Sequence, residues 1–127
     1  MARIWIQDWG TYGEQTLICV GANKKEIVAH LKKTCPKSQF LYCISKFFEI
    51  PKGCDGCFWT HYNPKYRGSI LWLKKLEYTP ESISVLSHEV CHAIRRLLIE
   101  ERNMHNEVEA QCYQTEFLIK NILLKGI

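Results

Sequence analysis

The 127-residue chain contains no apolar run near the ~18 residues that a membrane-crossing helix requires, so no helical span is expected. Glycine and proline are sparse, seven and four in number, and form no linker or low-complexity tract. No internal repeat is present either, which excludes solenoid and collagen-like architectures. Dense basic runs are lacking as well. The net charge of +4 comes from scattered residues and lysine pairs such as Lys24-Lys25, Lys32-Lys33 and Lys74-Lys75. That pattern reads as solvated surface, and no nucleic-acid partner is expected. The opening MARIWIQDWG lacks the basic-then-apolar layout of an export signal. The seven cysteines are an odd number and cannot all pair within the chain. Reduced thiols and a cytoplasmic location are therefore expected, with no membrane association.

What is present is an ordinary globular composition, 46% hydrophobic and 24% charged, expected to fold as one domain over residues 1–127. It does not fix an oligomeric state. RIWIQ (3–7) and QTLICV (15–20) read as strands around a glycine-containing turn. Asn23 with Glu26 forms a capping-box variant that starts a helix, and Ile27, Val28 and Leu31 give it an apolar stripe. The helix should end before Pro36. Residues 38–50 fit a buried strand or a short helix equally well. PKGCDG (51–56) is turn chemistry. CFWTHY (57–62) and SILWLKK (69–75) read as strands joined through NPKYRG.

The best-marked element follows. Thr79 is a good N-cap, Pro80 suits the first helical position, and Glu81 favours the positive end of the helix dipole. Leu86, Val90, Ala93 and Leu97 form one stripe. The pattern runs to about Glu101, where Asn103 suits a left-handed C-terminal residue. A last helix is expected from roughly 106 to 124, with Val108, Cys112, Phe117 and Leu123 among its buried residues.

Within the marked helix, residues 87–92 read SHEVCH. Positions i and i+4 of a helix share one face, so His88 and His92 can direct two imidazole nitrogens at one zinc ion. Glu89 is rotated by one residue and can take a proton from water at the metal without itself ligating. The bland alternative is three polar residues on an exposed helix face. Catalytic zinc usually has three protein ligands. A metzincin-type third ligand would need glycine at 95 and histidine at 98, which are Arg95 and Leu98. Glu107, Glu109 and Glu116 on the following helix remain candidates, and His105 is a further donor.

HEVCH, followed by Glu109-Ala110-Gln111-Cys112-Tyr113 on a second helix, resembles a gluzincin-type metallopeptidase. It is most similar to the small ones encoded by phages and other mobile elements. The resemblance covers residues 68–120 and implies a minimal zincin-like α+β domain. That fold has a small, mostly antiparallel sheet, an N-terminal helix, the HExxH helix and a C-terminal ligand-bearing helix. It implies zinc as cofactor, Glu109 as third ligand, Glu89 as general base, and a protein or peptide as substrate. It also implies that SILWLKK is an edge strand beside the cleft. The small residue often found at position 112 is a cysteine here. Two other readings compete: a non-catalytic binding or inhibitor module on the same fold, and a regulatory protease that cleaves a single repressor.

The remaining chemistry-bearing residues have structural readings beside functional ones. Glu109 could instead sit in a capping box begun by Asn106. Tyr113 either packs or stabilises an oxyanion. Cys54 and Cys57, with Cys35 and Cys43, are a structural zinc set, a redox pair or ordinary thiols, the last being expected. Cys91 should pack. His30 and His61 read as surface or satisfied histidines, with a role at the cleft open for His61.

Overall fold

The order of burial along SILWL fixes the architecture. Ser69, Ile70, Leu71, Trp72 and Leu73 are all buried, so this strand is covered on both faces. A computed structural model of the chain describes residues 2–10, 14–34, 48–63 and 66–127, with only the backbone for 61–63 and 66–68. Strands β1 (Arg3–Asp8), β2 (Gln15–Val20), β3 (Gly56–Asn63) and β4 (Tyr66–Leu73) form one sheet in the order β1-β2-β4-β3. β1 with β2 and β3 with β4 pair antiparallel, whereas β2 and β4 run parallel. Parallel neighbours need a crossover, and helix α1 (Lys24–Thr34) lies within it. The domain is α+β, as the strand and helix patterns predict, and its small sheet, expected to be mostly antiparallel, is mixed.

Two hydrophobic layers flank the sheet. On one face Leu17, Cys19, Ile70 and Trp72 pack with Ile27 and Leu31 of α1 and with Phe48. On the other, Ile18, Val20, Leu71 and Leu73 meet helix α2 (Pro80–Ile94) and helix α3 (Val108–Gly126). Buried polar groups find partners: Trp9 Nε1 donates to Thr16 Oγ1 at 2.8 Å, and Thr16 Oγ1 lies 2.8 Å from Ser69 Oγ. Gln114 Nε2 donates to the Trp9 carbonyl at 3.1 Å, which ties α3 to the end of β1.

The caps form as the sequence predicts. Asn23 and Glu26 exchange both bonds of the capping box, at 3.1 and 2.8 Å. Thr79 accepts from Ser82 N at 3.2 Å, and the stripe residues Leu86, Val90 and Ala93 of α2 are buried, as is Leu97 just beyond it. Asn103 takes the left-handed conformation with φ +55°.

Five expectations change. β4 is central, with partners on both sides, and among the described residues the outer strand beside α2 is β3. Its unbroken apolar run is the signature of a two-sided strand rather than an edge. Tyr66–Gly68 extend β4 rather than belonging to a connection, because β3 and β4 stay paired out to Asn63 and Tyr66, while Lys74 and Lys75 lie beyond the end of β4. The helical pattern to Glu101 is α-helix only to Ile94, and Arg95–Glu100 winds as a π-helix. Glu107, rather than Asn106, precedes the first turn of α3 and makes no capping bond, so Glu109 joins no capping box. Finally, α3 buries Gln114, Leu118, Ile122 and Gly126. Val108, Cys112 and Phe117 are exposed and Leu123 is half-buried. The helix carries apolar residues on more than one face, so contact with the sheet, not periodicity, selects the buried one. Residues 38–47 of the ambiguous segment lie outside the described residues.

The rotation of α3 can be tested by paired truncations. Leu118→Ala should cost about 2–5 kcal/mol in denaturant unfolding, as burial-site truncations do, while Val108→Ala should stay within roughly 0.5 kcal/mol. Equal losses would mean that α3 buries the Val108 face.

Candidate metal centre

α2 presents the SHEVCH segment with its stripe against the sheet, so residues off that stripe emerge progressively. Glu89, at the margin, is buried with 5% of its surface exposed, whereas His88 and His92 are exposed. His88 Nε2 and His92 Nε2 lie 3.1 Å apart, with the rings edge-to-face. One ligating atom from each of His88, Glu89 and His92 falls within 4.8 Å of the others. Among the described residues this is the group that could hold a metal ion.

Glu89 is confined by β3. A Cβ added at Gly56 would come within 2.8 Å of Val85 Cγ1, 3.1 Å of Glu89 Cγ and 3.2 Å of Glu89 Oε2. Hydrogen at position 56 is therefore what lets the carboxyl lie against the strand. Burial raises the Glu89 pKa above the usual carboxylate range, and the two histidines partly counter the shift.

The three residues line a cleft of about 570 Å³ whose opposite wall is the consecutive run Gly56–Thr60 of β3. Arg95, Arg96 and Glu100 of the π-helical turn complete it. Arg96 follows His92 by four residues, so the rule that pairs His88 with His92 predicts its place. Gly56 was concealed inside an apparent turn. The position of Glu100 depends on winding that no local pattern signals.

Other predicted site residues lie elsewhere. Glu109 is exposed in the first turn of α3, Glu107 immediately precedes it, and Glu116 faces a separate groove between α2 and α3. None of them joins the histidine group. His105 is exposed in the preceding loop. Tyr113 is 68% exposed, so it does not pack as expected, and it is not among the residues lining the cleft. Cys91 is exposed beside the α2–α3 groove rather than packed. Cys57 lines the cleft; burial, then Glu89 and Cys54, push its thiol up to about 11. Burial and then Cys57 push Cys19 up to about 12. A thiol raised that far stays protonated at neutral pH, which disfavours a redox role for Cys57. Cys54 and Cys57 join no metal-capable group among the described residues, and Cys35 and Cys43 lie outside them. His30 is half-buried on α1, and the His61 side chain lies outside the described residues.

Gly56→Ala should push Glu89 towards solvent and return its pKa towards the ordinary value, as followed by carboxyl carbon NMR of metal-free protein. An unchanged titration would show that Gly56 does not confine Glu89. The raised pKa also carries a sign for stability. The folded chain holds this proton more tightly than the unfolded one, so the stabilisation is present below the ordinary carboxylate range. It is lost as pH rises through the raised value. Glu89→Gln should remove that part of the fall in metal-free unfolding curves; curves that coincide would exclude the burial effect.

No family model, curated protein or solved structure matches this chain.

Proposed function

We propose that the protein is a zinc-dependent peptidase of the gluzincin-like kind, with His88 and His92 as zinc ligands and Glu89 as general base. One observation carries the reading: two exposed imidazole nitrogens converge to 3.1 Å beside a buried glutamate at the wall of a cleft. Two nitrogens bound at about 2.0–2.1 Å to one tetrahedral ion would stand roughly 3.3–3.4 Å apart, so the donor set fits zinc with little adjustment. Zinc held there would supply Lewis acidity towards a water and a peptide carbonyl.

The chain's own groups account for the rest. Glu89 receives the proton of the attacking water and passes it to the leaving amine. Its burial raises its basicity, which suits it to both roles. β3 lines the cleft through five consecutive residues, an extended wall beside the histidines. Glu109 is the third ligand that the resemblance implies, and it would have to reach the histidines from α3.

The decisive experiment combines metal analysis with Glu89→Gln. Wild type purified without added zinc should hold close to one zinc per chain. Glu89→Gln should retain it while losing on the order of 10²–10⁴ in cleavage rate, read as new protein N-termini in host lysate that disappear with a chelator. No zinc, even in excess metal, removes the enzyme reading. Loss of zinc from Glu89→Gln makes Glu89 a ligand instead of the base. A variant that performs the protein's biological task at full strength replaces catalysis with the binding-module reading.

The third ligand is tested separately. Glu109→Ala should weaken zinc retention by at least about tenfold, and Glu107→Ala should leave it unchanged. The reverse order would assign the ligand to Glu107.

A further inference from the structure

The cleft carries a second charged constellation that metal binding does not use. Arg95 and Arg96 open the π-helical turn that continues α2 and line the same cavity, as does Glu100. Glu100 bridges both guanidiniums: its Oε1 lies 3.6 Å from Arg95 Nε, and its Oε2 lies 3.2 Å from Arg96 Nη1. In an α-helix, residues five apart diverge by about 140°, so Arg95 and Glu100 would not meet. The π-helix stacks residues five apart, and its i+5 bond is seen as Glu101 N donating to the Arg96 carbonyl at 3.2 Å. This winding gathers two cations and one anion at one end of the cleft.

The trio has one more positive than negative charge. Glu100 occupies one edge of each guanidinium, whereas each arginine has five N–H donors on a planar fork suited to carboxylates. The side chains are 76% and 48% exposed for Arg95 and Arg96, so a ligand in the cleft can reach them. Tethering by Glu100 also lowers the entropy lost when they engage a ligand.

We propose that Arg95 and Arg96 form a carboxylate-recognition subsite beside the metal centre, so that the preferred substrate places a carboxylate there. This inference rests on the zinc-peptidase reading. The carboxylate belongs either to an acidic side chain or to a free peptide C-terminus. The first source describes an endopeptidase selective for acidic residues, and the second an enzyme acting at chain ends.

Three hydroxamate dipeptides test it on zinc-loaded full-length protein: one neutral and amidated, one amidated with an aspartate side chain, and one neutral with a free C-terminal carboxylate. Hydroxamate anchors all three on zinc, and calorimetry gives their affinities. The neutral probe should bind, and one acidic probe should bind about five- to tenfold more tightly, a modest factor because the arginines are exposed. Whichever acidic probe gains identifies the source.

Arg95→Gln/Arg96→Gln should abolish the gain and leave the neutral affinity unchanged. Glu100→Gln removes the internal counter-charge and should enlarge the gain. Raising the salt concentration should shrink it. Three equal affinities, or a preference that survives the double variant, overturn the subsite while leaving the metal reading intact. Failure of the neutral probe to bind removes the metal reading and the subsite with it.

Discussion

The seating of α2 on the sheet is the constraint from which the rest follows. Leu86, Val90, Ala93 and Leu97 are buried against Ile18, Val20, Leu71 and Leu73. Burying a Leu or Val side chain contributes roughly 1.5–3 kcal/mol, so the rotation of α2 is strongly held. With about 100° between successive residues, this rotation places Glu89 at the margin of the buried stripe and the histidines well beyond it. The glutamate is thereby desolvated while two imidazoles remain open to a ligand. The same helix phase generates core and cleft together, and a change of rotation would expose Glu89 while burying His88 and His92.

β3 supplies the second half of that constraint. Because β4 sits centrally, β3 is the strand that borders α2, and its first residue is the glycine against which Glu89 rests. The approach is close enough that even a methyl group at position 56 must displace something. The sheet thus limits where the carboxyl can be, while the helix decides that it points there. Beyond Ile94, the change to π-helical winding turns a stripe of histidines into a stripe of arginines tied by Glu100, all along one cleft.

Much of this was legible because it is encoded locally. The Asn23–Glu26 box, the Thr79 cap, the α2 stripe and the left-handed Asn103 each depend on residues within a turn or two, and each forms as read. HExxH spacing likewise sufficed to bring His88 and His92 together. What the sequence concealed depends on partners distant along the chain. The central position of β4 depends on its parallel pairing with β2, roughly fifty residues earlier. Cys112, Val108 and Phe117 are as apolar as residues α3 does bury, and only the sheet distinguishes the faces. Gly56 looked like a turn residue because its neighbour across the cleft is thirty-three positions away.

The phase of α3 decides where Glu109, the proposed third ligand, stands. Gln114, Leu118, Ile122 and Gly126 define the inward face of α3, and Glu109 falls on the opposite side at about 160° from its centre. The loop before it is already anchored. Arg102 pairs with the buried Glu14 at 2.9 Å, and Gln111 Nε2 donates to the Met104 carbonyl at 2.7 Å. For Glu109 to reach the histidines, the first turn of α3 would have to rewind and release the Gln111 bond, while the Arg102–Glu14 pair holds the loop before it. Glu107 immediately before Val108 makes no side-chain cap bond, so that turn has little capping energy to give up. Metal ligation by Glu109 would therefore also be a local folding event. A metal-dependent change in amide protection confined to residues 107–111 would separate it from ligation by a preformed glutamate.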